Sequence, residues 1–184
     1  MSFTTTRRSF LKASLLASAA FLLPEKALAS PFSETKPSGK LRLFNTHTYE
    51  TINTQYCNKH GHYNFESIRK LNWILRCHHT NEQYPIDIKT LEYLDLVNTR
   101  LGGNHEIHII SGYRSPEYNN YLLSTGHRVG RQSLHLEGRA IDIRIPGIDL
   151  SDVHGTALSL HMGGIGYYPR ANFVHIDSGA FRTW

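Results

Sequence analysis

The chain has 184 residues, 40% of them hydrophobic, which is enough for one domain with a buried core but too little for two once an export leader is set aside. Its 20 basic and 15 acidic side chains give a formal charge of +5, yet Arg7, Arg8, Lys12 and Lys26 against Glu25 place three of those net charges in the first 29 residues. What remains is too weakly basic to argue for nucleic acid as a partner, and no basic block interleaved with aromatics occurs; a mild positive balance suits an acidic polymer.

In chain order, Thr6-Arg7-Arg8-Ser9-Phe10-Leu11-Lys12 precedes an apolar stretch, Ala13 to Leu23, and then the small-x-small run Ala27-Leu28-Ala29. This reads as a twin-arginine export signal over residues 1–29. The apolar run is short and rich in alanine and serine for a membrane span, so cleavage after Ala29 is expected, with no stable membrane insertion afterwards. The expected destination is the periplasm of a bacterium. Residues 30–39, with prolines and serines, read as a flexible lead-in, and residues 40–184 as one domain. Nothing in the sequence reports an oligomeric state.

Leu41 to Thr46 and Tyr49 to Tyr56 alternate as two strands of an edge hairpin joined by a tight turn. Asn64 is placed to cap a helix carrying Phe65, Ile68, Leu71, Ile74 and Leu75 at helical spacing. A second helix follows Asp87, with Ile88, Leu91, Leu94, Val97 and Leu101 on one stripe, and stops at Gly102-Gly103. Trp73, Tyr84 and Tyr93 are read as packing or surface aromatics. Glu106 to Ile110 is a strand that runs into Ser115-Pro116, a helix start with proline at the first helical position. Arg139 to Ile145 alternates as a strand, Ser151 to His161 is a helix ended by Gly163-Gly164, and Ile165–Tyr168 and Asn172–Asp177 are antiparallel strands around a Pro169-Arg170 turn. The class is α+β: a mostly antiparallel sheet with flanking helices. Cys57 and Cys77, the only cysteines, could pair in an oxidising compartment or remain two separate thiols.

The chemistry concentrates in the last third. On the Arg139–Ile145 strand Ala140, Asp142 and Arg144 share one face and Ile141, Ile143 and Ile145 the other, so Asp142 points away from the apolar side. His135, in the polar stretch before Gly138, can fold back beside it. The Asn172–Asp177 strand puts Phe173, His175 and Asp177 on one face. If the two strands pair, His135, Asp142 and His175 converge as two imidazoles and a carboxylate, the ligand set of a catalytic zinc with an open position. Arg114 sits at a strand-to-helix junction, where a guanidinium can hold a carboxylate or carbonyl through paired hydrogen bonds.

Ser-Gly-Tyr-Arg114-Ser, Ser-x-His135-x-x-Gly138-x-Ala140-x-Asp142, Gly-Ile-Gly-Tyr-Tyr-Pro-Arg170 and Asn-Phe-Val-His175-Ile-Asp177, together with the twin-arginine leader and an Arg-x-Trp184 end, resemble the MepK-like periplasmic murein endopeptidases. These belong to a wider group of zinc peptidases that includes the D-Ala-D-Ala carboxypeptidases and the fold-related hedgehog domain. The resemblance implies that fold, one Zn2+ held by His135, Asp142 and His175, and hydrolysis of peptide cross-links between peptidoglycan stem peptides during cell-wall growth or remodelling. It gives Arg114 a substrate-binding and oxyanion-stabilising role. A carboxypeptidase that trims stem peptides, or a non-catalytic zinc-containing peptidoglycan-binding module, are the alternatives. The wider group often carries Glu or Asp three residues before the last histidine ligand, where this chain has Asn172. Asp177 is therefore the candidate general base, with His127 a weaker one, although Asp177 could equally orient His175 or pair with Arg114.

Overall fold

The computed structural model describes residues 36–184; the leader over residues 1–29 lies outside the described residues. Seven strands form one sheet: β1 (Lys40–Asn45), β2 (Thr51–Gln55), β3 (Ile107–Ser111), β4 (Ala140–Arg144), β5 (Gly164–Tyr168), β6 (Phe173–Asp177) and β7 (Arg182–Thr183). Their order is β2-β1-β3-β4-β6-β5-β7, with β1/β3 and β5/β7 parallel and the other pairs antiparallel. The four α-helices among the described residues are α1 (Phe65–Ile74), α2 (Ile88–Arg100), α3 (Pro116–Ser124) and α4 (Leu150–Leu160). The result is a mixed structure with a mostly antiparallel sheet, and no described helix is long and apolar enough to cross a membrane.

Three helix starts follow from side-chain caps. Asn64 accepts from Ser67 N, Asp87 from Lys89 N and Ser115 from Tyr118 N, each satisfying an amide that the first turn leaves without a partner. Ile141, Ile143, Val174 and Ile176 on one face of β4 and β6 are fully buried in one core with Leu91, Leu94 and Val97 of α2 and Val153 and Ala157 of α4. Each such side chain contributes about 1.5–3 kcal/mol. Tyr93 is a packing residue of this core, its hydroxyl donating to Ala157 O across the two helices. With that face committed to the helices, the alternate residues of β4 and β6 are turned to the opposite side, where the polar cluster lies.

The structure departs from the sequence pattern at several points. The β1–β2 turn is wider than expected: Asn45 Oδ1 accepts from His47 N and Thr48 N, and Tyr49 takes φ 60, which removes it from the strand. Phe65 occupies the first position of α1 and is 82% exposed, outside the core stripe. His161, in the left-handed conformation with φ 52, ends α4 in place of the glycines. Gly163 serves close approach, because a Cβ there would collide with Asp177 O. Cys57 and Cys77 are both free. The strand β7 was not anticipated at all; two residues carry no periodicity.

The end of the expected lead-in is held fast. Ser38 N, Ser38 Oγ and Gly39 N donate to the Asp95 carboxylate, which also accepts from Tyr56 OH and Thr99 Oγ1. Asp95 is fully buried, so removing it strands several donors at once. Asp95→Ala is expected to lose about 3 kcal/mol of unfolding free energy in urea titration, with a loss below about 1 kcal/mol contradicting this.

Candidate metal centre

The antiparallel register of β4 and β6 sets Asp142 directly opposite His175 and Ala140 opposite Asp177. His135 arrives from a separate element, a single 3-10 turn over Leu134–Glu137 that ends at Gly138 with φ 64. Glycine is required there twice: the left-handed backbone favours it, and a Cβ would run into Pro85 O. The turn is tied to the β3–α3 junction by Arg114 N, which donates to His135 O at 3.1 Å.

Three atoms converge. His135 Nε2 lies 3.2 Å from Asp142 Oδ1 and 3.2 Å from His175 Nδ1, and His175 Nδ1 lies 2.8 Å from Asp142 Oδ1. Among the described residues these three side chains form the group able to hold a metal ion. Bonds of about 2.0–2.1 Å in tetrahedral geometry place ligand atoms roughly 3.4 Å apart, so the triangle needs to open by about 0.2 Å on its two 3.2 Å edges and about 0.6 Å on its 2.8 Å edge to admit a zinc-sized ion.

The outward nitrogens are fixed as well. His135 Nδ1 meets Gly112 O at 2.7 Å, and since a carbonyl only accepts, Nδ1 carries the proton and Nε2 keeps its lone pair for the cluster. His175 Nε2 donates to Asp177 Oδ2 at 3.0 Å, which turns Nδ1 inward in the same way.

The three groups respond differently to burial and to one another. Burial lowers the His135 pKa, favouring the neutral ring. Burial would raise the Asp142 pKa, but the two imidazoles outweigh it and hold the carboxyl well below its ordinary range. For His175, burial pulls down while hydrogen bonds to Asp142 and Asp177 pull up, and the balance raises it to about 9.

Asp177 is fully buried behind His175, away from the other two side chains. Its Oδ1 accepts from Gly164 N, Gly179 N and Arg182 Nη1, and its Oδ2 from His175 Nε2 and Arg182 Nη2 at 2.7 Å. Those five bonds occupy the carboxylate, and Arg182, on the unanticipated β7, is its ion-pair partner where the sequence had suggested Arg114. Its pKa, which burial would raise, is held well down by His175, Arg182 and the two amides. His127 is exposed and bonded to Thr125 Oγ1, and it does not line the cleft. Asn172 is exposed, with φ 55 in the β5–β6 turn, and is likewise absent from the cleft lining.

Arg114 is 7% exposed, and its guanidinium is only loosely engaged: Nη1 is 3.4 Å from Asn119 Oδ1, Nη2 is 3.8 Å from Asp142 Oδ2, and Nε has no partner. The three converging side chains and Arg114 form the floor of a cleft of about 590 Å3, walled by Arg128, Tyr168, Phe173, Arg182 and Trp184. Trp184 stands 5.2 Å from the His175 ring, centroid to centroid, and its indole N–H donates to Tyr168 OH. A second groove, beside Trp73 and Arg69, contains none of these residues.

With the cluster, the buried arginine and the cleft in place, comparison with known proteins is decisive. The family model for peptidoglycan L,D-endopeptidase MepK matches residues 33–184. The chain belongs to the MepK family. Over 182 residues it is 39% identical to the peptidoglycan L,D-endopeptidase MepK of Escherichia coli (strain K12), covering 99% of this chain and 98% of that one. Over 179 residues it is 35% identical to the probable peptidoglycan L,D-endopeptidase MepK of Haemophilus influenzae, covering 97% and 95%. The similarity to these MepK proteins runs through both strands and the 3-10 turn that supply the cluster.

If Asp177 acts by orienting His175, Asp177→Asn should weaken Zn2+ binding about 10- to 100-fold in competition with a chromogenic chelator. Unchanged affinity with hydrolysis lost would instead make Asp177 a participant in the reaction.

Proposed function

We propose that the protein is an exported, zinc-dependent peptidoglycan endopeptidase, with the D-Ala-D-Ala carboxypeptidase/hedgehog-like fold, that cuts an L,D bond in the cross-links between stem peptides during cell-wall growth or remodelling. The observation that carries this reading is the convergence of His135 Nε2, Asp142 Oδ1 and His175 Nδ1 on the floor of an open cleft beside an arginine with unspent donors. The twin-arginine leader in residues 1–29 supplies the route to the periplasm, and family membership supplies the substrate class.

His135, Asp142 and His175 would hold the ion. A zinc ion there supplies Lewis acidity, polarising a carbonyl and lowering the pKa of a water to roughly 7. The chain's own residues do the rest. Arg114 sits in the β3–α3 junction, where its unpartnered Nε can donate to negative charge developing on the scissile carbonyl oxygen; being buried, that donor acts with little screening. Gly112 O and Asp177 keep the two imidazoles in the tautomers that face the cleft. Arg182 keeps Asp177 ionised and in place from the other side. Asp177 acts through His175 in this account and has no lone pair left over to take a proton from water.

Incubating the protein with cross-linked peptidoglycan and separating the products by chromatography and mass tests the assignment. Chelator-sensitive conversion of cross-linked dimers to monomers is expected, and it should disappear in His135→Ala and Asp142→Ala while circular dichroism stays native. Cleavage that survives either substitution would overturn it, and release of terminal D-Ala alone would make the enzyme a trimming carboxypeptidase.

Metal loading should also depend on pH. In the metal-free protein the His175 ring keeps its second proton up to about pH 9, because Asp142 and Asp177 favour the cation. Nδ1 must lose that proton to the solvent before its lone pair can serve a metal. Apparent Zn2+ affinity is therefore expected to rise from pH 6 to pH 9, by up to about tenfold per unit, with proton release visible by calorimetry in buffers of different ionisation enthalpy. A flat profile would contradict this protonation state.

A further inference from the structure

The walls of the cleft differ in charge balance. Of the acidic side chains among the described residues, Asp142 alone lines it, and Asp142 is already shared between His135 and His175. Three guanidiniums line it too. That of Arg182 is neutralised by a bidentate pair with Asp177. Those of Arg114 and Arg128 are not neutralised in this way: Arg114 Nε is buried without a partner and its nearest carboxylate oxygen is 3.8 Å away, and Arg128 is exposed in the loop that follows α3.

The two are mechanically connected. Asn119 of α3, 2% exposed, takes Arg114 Nη1 on its Oδ1 and donates from Nδ2 to Gly130 O at 3.3 Å. One buried amide thus fixes both the arginine on the cleft floor and the loop that carries Arg128. A wall that presents two guanidiniums without a close carboxylate partner is suited to an anion, and a guanidinium fork matches the planar, two-oxygen geometry of a carboxylate.

We propose that Arg128 forms a carboxylate-binding subsite in the cleft that also holds Arg114, selecting substrates with a free carboxylate close to the scissile bond, while Arg114 keeps its Nε for the scissile carbonyl and adds only its positive charge. This rests on the reading that the cleft takes stem peptides, and it adds what distinguishes one such peptide from another. Arg128 is a binding residue here, and Asn119 a positioning residue that acts through Gly130 and Arg114.

The test uses cross-linked muropeptide dimers with free carboxylates, the same dimers with those carboxylates amidated, and the zinc-free protein, so that binding is read without turnover. Calorimetry should show the wild type preferring the free acid roughly 10- to 100-fold, the worth of one or two charge-assisted hydrogen bonds. Arg128→Gln should abolish most of that preference and Arg128→Lys should restore part of it. Arg131→Gln, which removes a neighbouring charge outside the cleft lining, should leave it intact. Equal affinity of the wild type for both dimers, an intact preference in Arg128→Gln, or an equal loss in Arg131→Gln would each overturn the subsite, the last in favour of diffuse attraction. In the zinc-loaded protein Arg128→Gln should raise KM for the free-acid dimer with kcat within about twofold. Discrimination in binding without any cleavage by the loaded wild type would keep the subsite and refute the endopeptidase assignment.

Discussion

The site depends on one register. Asp142 faces His175 because β4 and β6 pair as Ala140 with Asp177, Ile141 with Ile176, Asp142 with His175 and Ile143 with Val174. Side chains alternate along a strand, so a slip of one residue would turn Asp142 or His175 into the helices and bring an isoleucine or valine out in its place. The four fully buried residues on the other face make that slip costly. The same apolar packing that stabilises the fold therefore aligns the polar cluster, and its side chains need no separate device to hold their strands together.

Around that pair the chain assembles restraints from distant segments. The 3-10 turn brings His135 and is bonded to the β3–α3 junction, which supplies both Gly112 O and Arg114. Behind His175, Asp177 draws its five hydrogen bonds from His175 itself, β5, the turn after β6 and β7. Each imidazole is thus held at both ends, a pattern that fixes tautomer and ring orientation before any ligand arrives. Pre-organisation of this kind lowers the reorganisation needed when an ion or substrate binds.

The sequence made much of this legible because the informative elements are periodic. Alternation in 139–145 and 172–177 placed Asp142 and His175 on matching faces, and caps at Asn64, Asp87 and Ser115 marked the helix starts. What stayed hidden depends on close approach or on very short elements. Nothing in the run Gly163-Gly164 distinguishes a helix stop from a backbone that must pass close to Asp177, and the two residues of β7 have no pattern from which to infer that Arg182 closes on that carboxylate. Asp177 stands out in the sequence by sharing a strand face with His175, yet its partners come from β5, the turn after β6 and β7, which no sequence pattern ties to it. Asn172, prominent in the sequence for lacking a carboxyl group, is an exposed left-handed turn residue, a conformation that asparagine tolerates well.

The central claim is that two imidazoles and one carboxylate, aligned by strand pairing, bind a single metal ion. Anomalous diffraction at the zinc edge from crystals of the zinc-loaded protein tests it most directly. One peak per chain is expected, about 2.0–2.2 Å from each of His135 Nε2, Asp142 Oδ1 and His175 Nδ1. A peak coordinated by other side chains, or ordered protein with no peak at this cluster at saturating zinc, would contradict the account.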